Sequence, residues 1–174
     1  FLNGISLWRE GLQRTAGRAG TSQAYSEYML AENLRYLVSK KLFYAVASQL
    51  TWARSYKWTP ATQERIDFVK GESFYQLSLY QESEQEFKNF IKDREGQPAS
   101  SGYDKRLLPA AAFRLGDSYF RQGKLQEAID TYTRYLSVIP ALKKMSFEDM
   151  ILPDFIVTFS YVLFNRSEAL IRLG

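Results

Sequence analysis

Large apolar residues recur at i, i+3 and i+4 in successive stretches of the chain, the spacing that puts them on one face of a helix. Within these stretches a finer pattern repeats: an aromatic residue, two variable positions, a small residue, an acid, one variable position and a large apolar residue. It reads Tyr28, Ala31, Glu32, Leu34, then Phe68, Gly71, Glu72, Phe74, then Phe113, Gly116, Asp117, Tyr119, and lastly Phe164, Ser167, Glu168, Leu170. The copies lie 40, 45 and 51 residues apart, so a search at one fixed period passes over them. Each copy predicts a helix.

The residues after two of these helices repeat as well. Leu125, Ala128, Ile129, Tyr132, Tyr135 and Leu136 are matched at the same 45-residue offset by Tyr80, Ser83, Glu84, Phe87, Phe90 and Ile91, with only Glu84 breaking the apolar match. The unit is therefore a helix, a tight turn and a second helix. Gly123 stands where the first helix must stop and the chain reverse, Pro109 suits a first helical turn, and Pro140 closes the unit. Small Gly71, Gly116 and Ala128 let antiparallel helices approach, and Phe74, Phe87, Tyr119 and Tyr132 fill the space between them.

The segment Pro109 to Pro140, with Leu115-Gly116, Tyr119, Gly123, Leu125, Ala128, Tyr132 and Pro140, resembles a tetratricopeptide repeat. Residues 64–95 resemble one less fully, lacking the turn glycine and the closing proline. Residues 24–56 fit as a degenerate copy if the turn before Leu42 and Ala45 is two residues longer, and 160–174 fit as a first helix alone. The resemblance implies an all-α fold, a right-handed α-solenoid of antiparallel helix pairs, with residues 1–174 as a single array. Gly174 falls at a turn-glycine position, and Ile5, Leu7, Trp8 and Leu12 form a short helical pattern with no first-helix partner ahead of it, so a fragment of a longer array is expected.

Two interruptions lengthen the period. Residues 96–108 are rich in Gly, Pro and Ser and read as a loop, and residues 141–152 carry Ser146 and Asp149 at near-capping spacing. Pro153 to Leu173 reads as one long helix whose apolar residues wrap much of its circumference, so something should cover it. The uncharged run Phe155 to Asn165 is far shorter than the roughly 20 residues a spanning helix needs.

Composition narrows the chemistry. The 174 residues include no cysteine and no histidine, which excludes disulfide frameworks, thiol nucleophiles, histidine-based relays and nearly every zinc site. No cofactor and no metal ligand set is indicated. The net charge of +4 is too small and too dispersed to signal duplex DNA binding.

In the tetratricopeptide family the first helices line the concave groove, which here implies an aromatic ladder of Tyr28, Phe68, Phe113 and Phe164 beside an acidic one of Glu32, Glu72, Asp117 and Glu168. One turn on lie Arg35, Tyr75, Phe120 and Ile171. Such a groove suits an apolar peptide or helix with some basic character. Phe113 and Asp117 stand where carboxylate-clamping members carry Lys and Asn, which argues against a chaperone C-terminus as ligand. The plainer alternative has the aromatics packing between units and the acids capping helices or pairing with Arg114 and Arg121.

The spacings Phe87-x-x-Phe90-Ile91 and Tyr132-x-x-Tyr135-Leu136 are similar to the bacterial cell-envelope branch, the barrel-assembly lipoprotein and the Tol-associated coordinator, which favours a periplasmic or envelope setting. The function expected is a non-catalytic protein-interaction scaffold inside a larger assembly. Two rivals stand beside it. A solenoid glycosidase would use Asp117 or Glu168 as an acid, but acids recurring at one repeat position point to architecture. Single-strand nucleic-acid binding draws on the aromatics and the +5 charge of the first 70 residues, but the aromatic ladder runs beside acids that repel phosphate.

Overall fold

The computed structural model describes residue 10 and residues 21–54, 56–95, 107–136 and 159–174. Seven helices account for most of them: α1 (Thr21–Ser39), α2 (Phe43–Ala53), α3 (Pro60–Gln76), α4 (Tyr80–Arg94), α5 (Leu107–Arg121), α6 (Leu125–Leu136) and α7 (Phe159–Leu173). Among the described residues there is no strand. Helices adjacent in sequence pack on one another, α3 also meets α5, and α5 meets α7, the arrangement of a tetratricopeptide-like helical solenoid. Of the loop expected at 96–108, residues 96–106 lie outside the described residues and Leu107 and Leu108 instead begin α5; the cap at Ser146 and the helix over 153–158 also lie outside the described residues.

Turn chemistry sets the hairpins. Each first helix ends on a residue with positive φ: Lys41 (56°), Ser78 (60°) and Gly123 (75°). In each the next amide closes the helix on the same carbonyl, Leu42 N–H to Leu37 O at 2.9 Å, Leu79 to Phe74 at 2.9 Å and Lys124 to Tyr119 at 3.0 Å. This left-handed closure satisfies carbonyls that would otherwise be orphaned, and only the third copy uses the residue with no Cβ penalty. Thr59 opens α3, its hydroxyl accepting from the Thr62 amide, and Pro60 follows at the first helical position.

These turns correct the repeat register. The first turn is no longer than the others, and from Lys41 to Ser78 is 37 residues, not 40. Phe43 and Val46 therefore stand where Leu125 and Ala128 do, not Leu42 and Ala45. The extra residues lie inside α1, where the match by residue type falls three positions too early.

The core runs through the pairs. Gly71 lies under the ring of Phe87 and Gly116 under that of Tyr132, so close that a Cβ on Gly116 would sit 2.5 Å from Tyr132 Cε1. Phe68 meets Phe87 and Phe90 edge to face, with centroids 5.7 and 6.0 Å apart. Glu84, which broke the apolar match, is buried but answered: Lys88, Lys124 and Gln122 all donate to it, at 2.6 to 2.8 Å. Ser83 and Ser118 share a buried hydroxyl bond at 3.0 Å between α4 and α5. No helix among the described residues is long and apolar enough to cross a membrane.

Candidate functional site

Two acids of the repeated pattern, Glu72 and Asp117, lie at the joints between successive first helices. Glu72 on α3 is 0% exposed and Asp117 on α5 is 1% exposed. Burying a carboxylate without donors costs several kcal/mol, so each must be answered locally. Arg114 answers both: its Nε donates to Glu72 Oε2 at 2.7 Å and its NH1 to Asp117 Oδ2 at 3.2 Å. Gln76 donates to Glu72 at 2.8 Å, while Tyr132 Oη and Asn165 Nδ2 donate to Asp117 Oδ1 at 2.5 and 3.0 Å.

A single rule organises these contacts. Counted back from the positive-φ residue, with Gly174 (95°) following Gly123, the acid six positions earlier meets the residue nine positions before the next such residue: Glu72 meets Arg114, and Asp117 meets Asn165. Each bond clasps one first helix to the next. Burial pushes the carboxyls of Glu72 and Asp117 above their ordinary range although Arg114 and the other donors pull the opposite way. Those two carboxylates in turn hold the Arg114 guanidinium more firmly charged, against the effect of its burial. Burial and the adjacent Asp117 carboxylate raise the Tyr132 phenol, which remains a hydrogen-bond donor.

The aromatic ladder follows the acids inward. Phe68 and Phe113 are core residues at 5% and 1% exposure. The expectation that Phe68, Glu72, Phe113 and Asp117 face an open groove is therefore corrected: they pack the pairs and clasp the joints. Tyr75 and Phe120 are half-buried beneath cations, the Arg114 guanidinium 4.6 Å from the Tyr75 centroid and that of Arg172 5.0 Å from Phe120. Phe164 and Ile171 on α7 stay exposed, and Glu168 pairs with Arg172 one turn along at 2.8 Å.

Tyr28 and Glu32 are displaced by the register correction. The residues of α1 equivalent to Phe68 and Glu72 are Ala31 and Arg35, while Glu32 forms an exposed pair with Arg35 at 3.0 Å. Opposite Arg35, at the place of Arg114 and Asn165, stands Val69. The pair formed by Glu72 with Arg114 and by Asp117 with Asn165 has no counterpart at Arg35 and Val69, and a cleft of about 320 Å³ opens between α1 and α3. Leu30, Leu34, Ile66 and Val69 line it with Tyr28, Arg35 and Arg65. At its end the Glu27 carboxylate accepts from the Thr59 amide at 2.8 Å and the Thr59 and Thr62 hydroxyls at 2.9 and 2.8 Å. Burial would raise this carboxyl, but those donors hold it below its ordinary value.

Two residues that matter here, Asn165 and Arg65, do not stand out in the sequence pattern. The first carries a signal, because it follows the ladder aromatic Phe164 as Arg114 follows Phe113. Nothing in the composition marks Arg65.

Residues 109–142 match the tetratricopeptide repeat family model. The match covers the unit formed by α5 and α6, where the glycine turn and the Gly116–Tyr132 contact occur. No curated protein and no solved structure matches the chain.

Proposed function

We propose that the chain is a non-catalytic scaffold that binds another protein within a larger assembly, with residues 1–174 forming one array of units at 24–56, 64–95, 109–140 and 160–174. The observation that carries this reading is the contrast along the first helices. Glu72 and Asp117 are consumed by clasps between units, while the first joint holds a largely apolar cleft with aromatic and charged residues at its edge. Asp117, the acid a glycosidase reading would use, accepts from Tyr132, Asn165 and Arg114 in the interior. The likeness of the Phe87 and Tyr132 spacings to the cell-envelope branch supports an envelope assembly as the setting, periplasmic in preference to cytoplasmic.

The test is affinity capture from envelope and soluble fractions with the intact chain and with a Tyr28→Ala, Phe164→Asp variant. Both positions are exposed, so folding is retained. A Phe113→Ala, Asp117→Lys variant is unsuitable because both residues are interior. Selective loss of a specific protein from the variant supports the reading. A chain that retains no protein from any fraction overturns it.

A further inference from the structure

We infer that the hairpin tip joining α1 to α2 docks on the surface of an anionic lipid bilayer, an inference independent of the scaffold reading above. Residues 33–63 hold five basic residues and no acidic one, although the chain has 19 acids in all. α2 carries no charged residue, whereas α4, its counterpart in the next unit, carries seven and α6 three. Counted from the positive-φ residue of each turn, Tyr44 and Ala45 stand where the later hairpins place Gln81 with Glu82 and Gln126 with Glu127. The first tip has exchanged a polar, acidic start to its second helix for an aromatic, uncharged one.

The side chains at this tip are apolar, aromatic and basic. Tyr36 is 52% exposed, Tyr44 78% and Leu42 39%, and Lys40 and Lys41 are exposed between them. Lys40 lies over the Tyr36 ring at 5.9 Å, and among the described residues neither lysine pairs with a carboxylate. Of the acids on α1, Glu32 pairs with Arg35, and the ionised Glu27 lies 13 residues before Lys40, roughly 20 Å along the helix. Glu82 on the next hairpin sets one acid against the two lysines, so the edge stays positive.

An anionic bilayer answers each feature. Lysines meet lipid phosphates without a shaped site, tyrosines rest at headgroup depth with their hydroxyls in water, and Leu42 gains by leaving water. A convex tip offers no pocket to a peptide and no groove to a nucleic-acid strand. Since no helix among the described residues is long and apolar enough to cross a bilayer, the contact is docking at the surface.

The test is co-sedimentation of the intact chain with vesicles of phosphatidylcholine alone and of phosphatidylcholine mixed with phosphatidylglycerol. Binding should require the anionic lipid and weaken as salt is raised. Lys40→Gln with Lys41→Asn, the asparagine keeping the left-handed turn, should weaken it by about tenfold or more. Tyr44→Ser should weaken it by a smaller factor at every salt concentration, and Lys92→Gln on the exposed face of α4 should leave it unchanged. Circular dichroism checks that each variant keeps the helicity of the parent. No binding to the anionic vesicles, equal binding to both kinds, or full binding by the Lys40, Lys41 variant overturns the inference. Retention of a single-stranded oligonucleotide or a soluble acidic protein in preference to the anionic vesicles gives the tip to another ligand and overturns it as well.

Discussion

Arg114 on α5 places its Nε 2.7 Å from a carboxylate oxygen of Glu72 on α3, and both side chains are buried. The same guanidinium reaches Asp117 on its own helix, so one cation bridges the acids of two successive units. A repeat array is stabilised unit by unit and interface by interface, and a buried bond that crosses an interface sets both spacing and register there.

Close approach within a pair makes the two ladder glycines unequal. A Cβ at Gly116 meets Tyr132 Cε1 at 2.5 Å, and that ring is fixed by full burial and by its bond to Asp117. At Gly71 the nearest Phe87 atoms are 3.0 Å away and carry no such tether. Gly116→Ala should destabilise by about 1–3 kcal/mol, and Gly71→Ala should cost clearly less, because the gain of about 0.5–1 kcal/mol of helical Ala over Gly, common to both, is set against a smaller clash there. Urea unfolding of the two variants ranks them, and equal costs would refute the tether.

The turns make a prediction of opposite sign at equivalent positions. Ser78 adopts φ 60° without being glycine, whereas Gly123 sits at 75°. Ser78→Gly should stabilise by about 0.5–1 kcal/mol, the relief of the left-handed conformation exceeding the added chain entropy, and Gly123→Ala should destabilise by about 1 kcal/mol. Thermal unfolding of both variants checks the signs.

Much of the fold is legible in the sequence where the signal is local. The glycine at the third turn, the small-to-aromatic contacts of Gly116 with Tyr132 and Gly71 with Phe87, and the helix-turn-helix order all follow from spacing. The first unit is not, because Lys41 turns the chain without glycine and α1 holds extra residues, so that residue type alone puts Tyr28 and Glu32 in places that belong to Ala31 and Arg35. The acids are legible only in part: pairing with Arg114 is the plainer of two sequence readings, and it holds for Glu72 and Asp117. An acidic residue reads as surface until its donor is known, and Arg114 and Asn165 reach Glu72 and Asp117 from 42 and 48 residues away.

Acid should expose the contribution of Glu84. Burial alone would raise its carboxyl, but the bonds from Lys124, Lys88 and Gln122 hold it at about 2, below its ordinary 4.5. A folded-state value below the unfolded one gives stability that is complete above pH 4.5 and lost as pH falls toward about 2. Glu84→Gln should therefore be less stable than the parent at neutral pH, with the gap closing through that window. Denaturant midpoints across the range test this, and a gap that widens on acidification would contradict it.

The clasp itself is tested most directly by a double-mutant cycle on Glu72 and Arg114, read by urea unfolding. Arg114→Met leaves two buried carboxylates short of their cation and should cost about 3–5 kcal/mol, whereas Glu72→Leu with Arg114→Met should recover part of that loss. The account predicts a coupling of about 2 kcal/mol or more between the two positions. Additive single-mutant effects would contradict it.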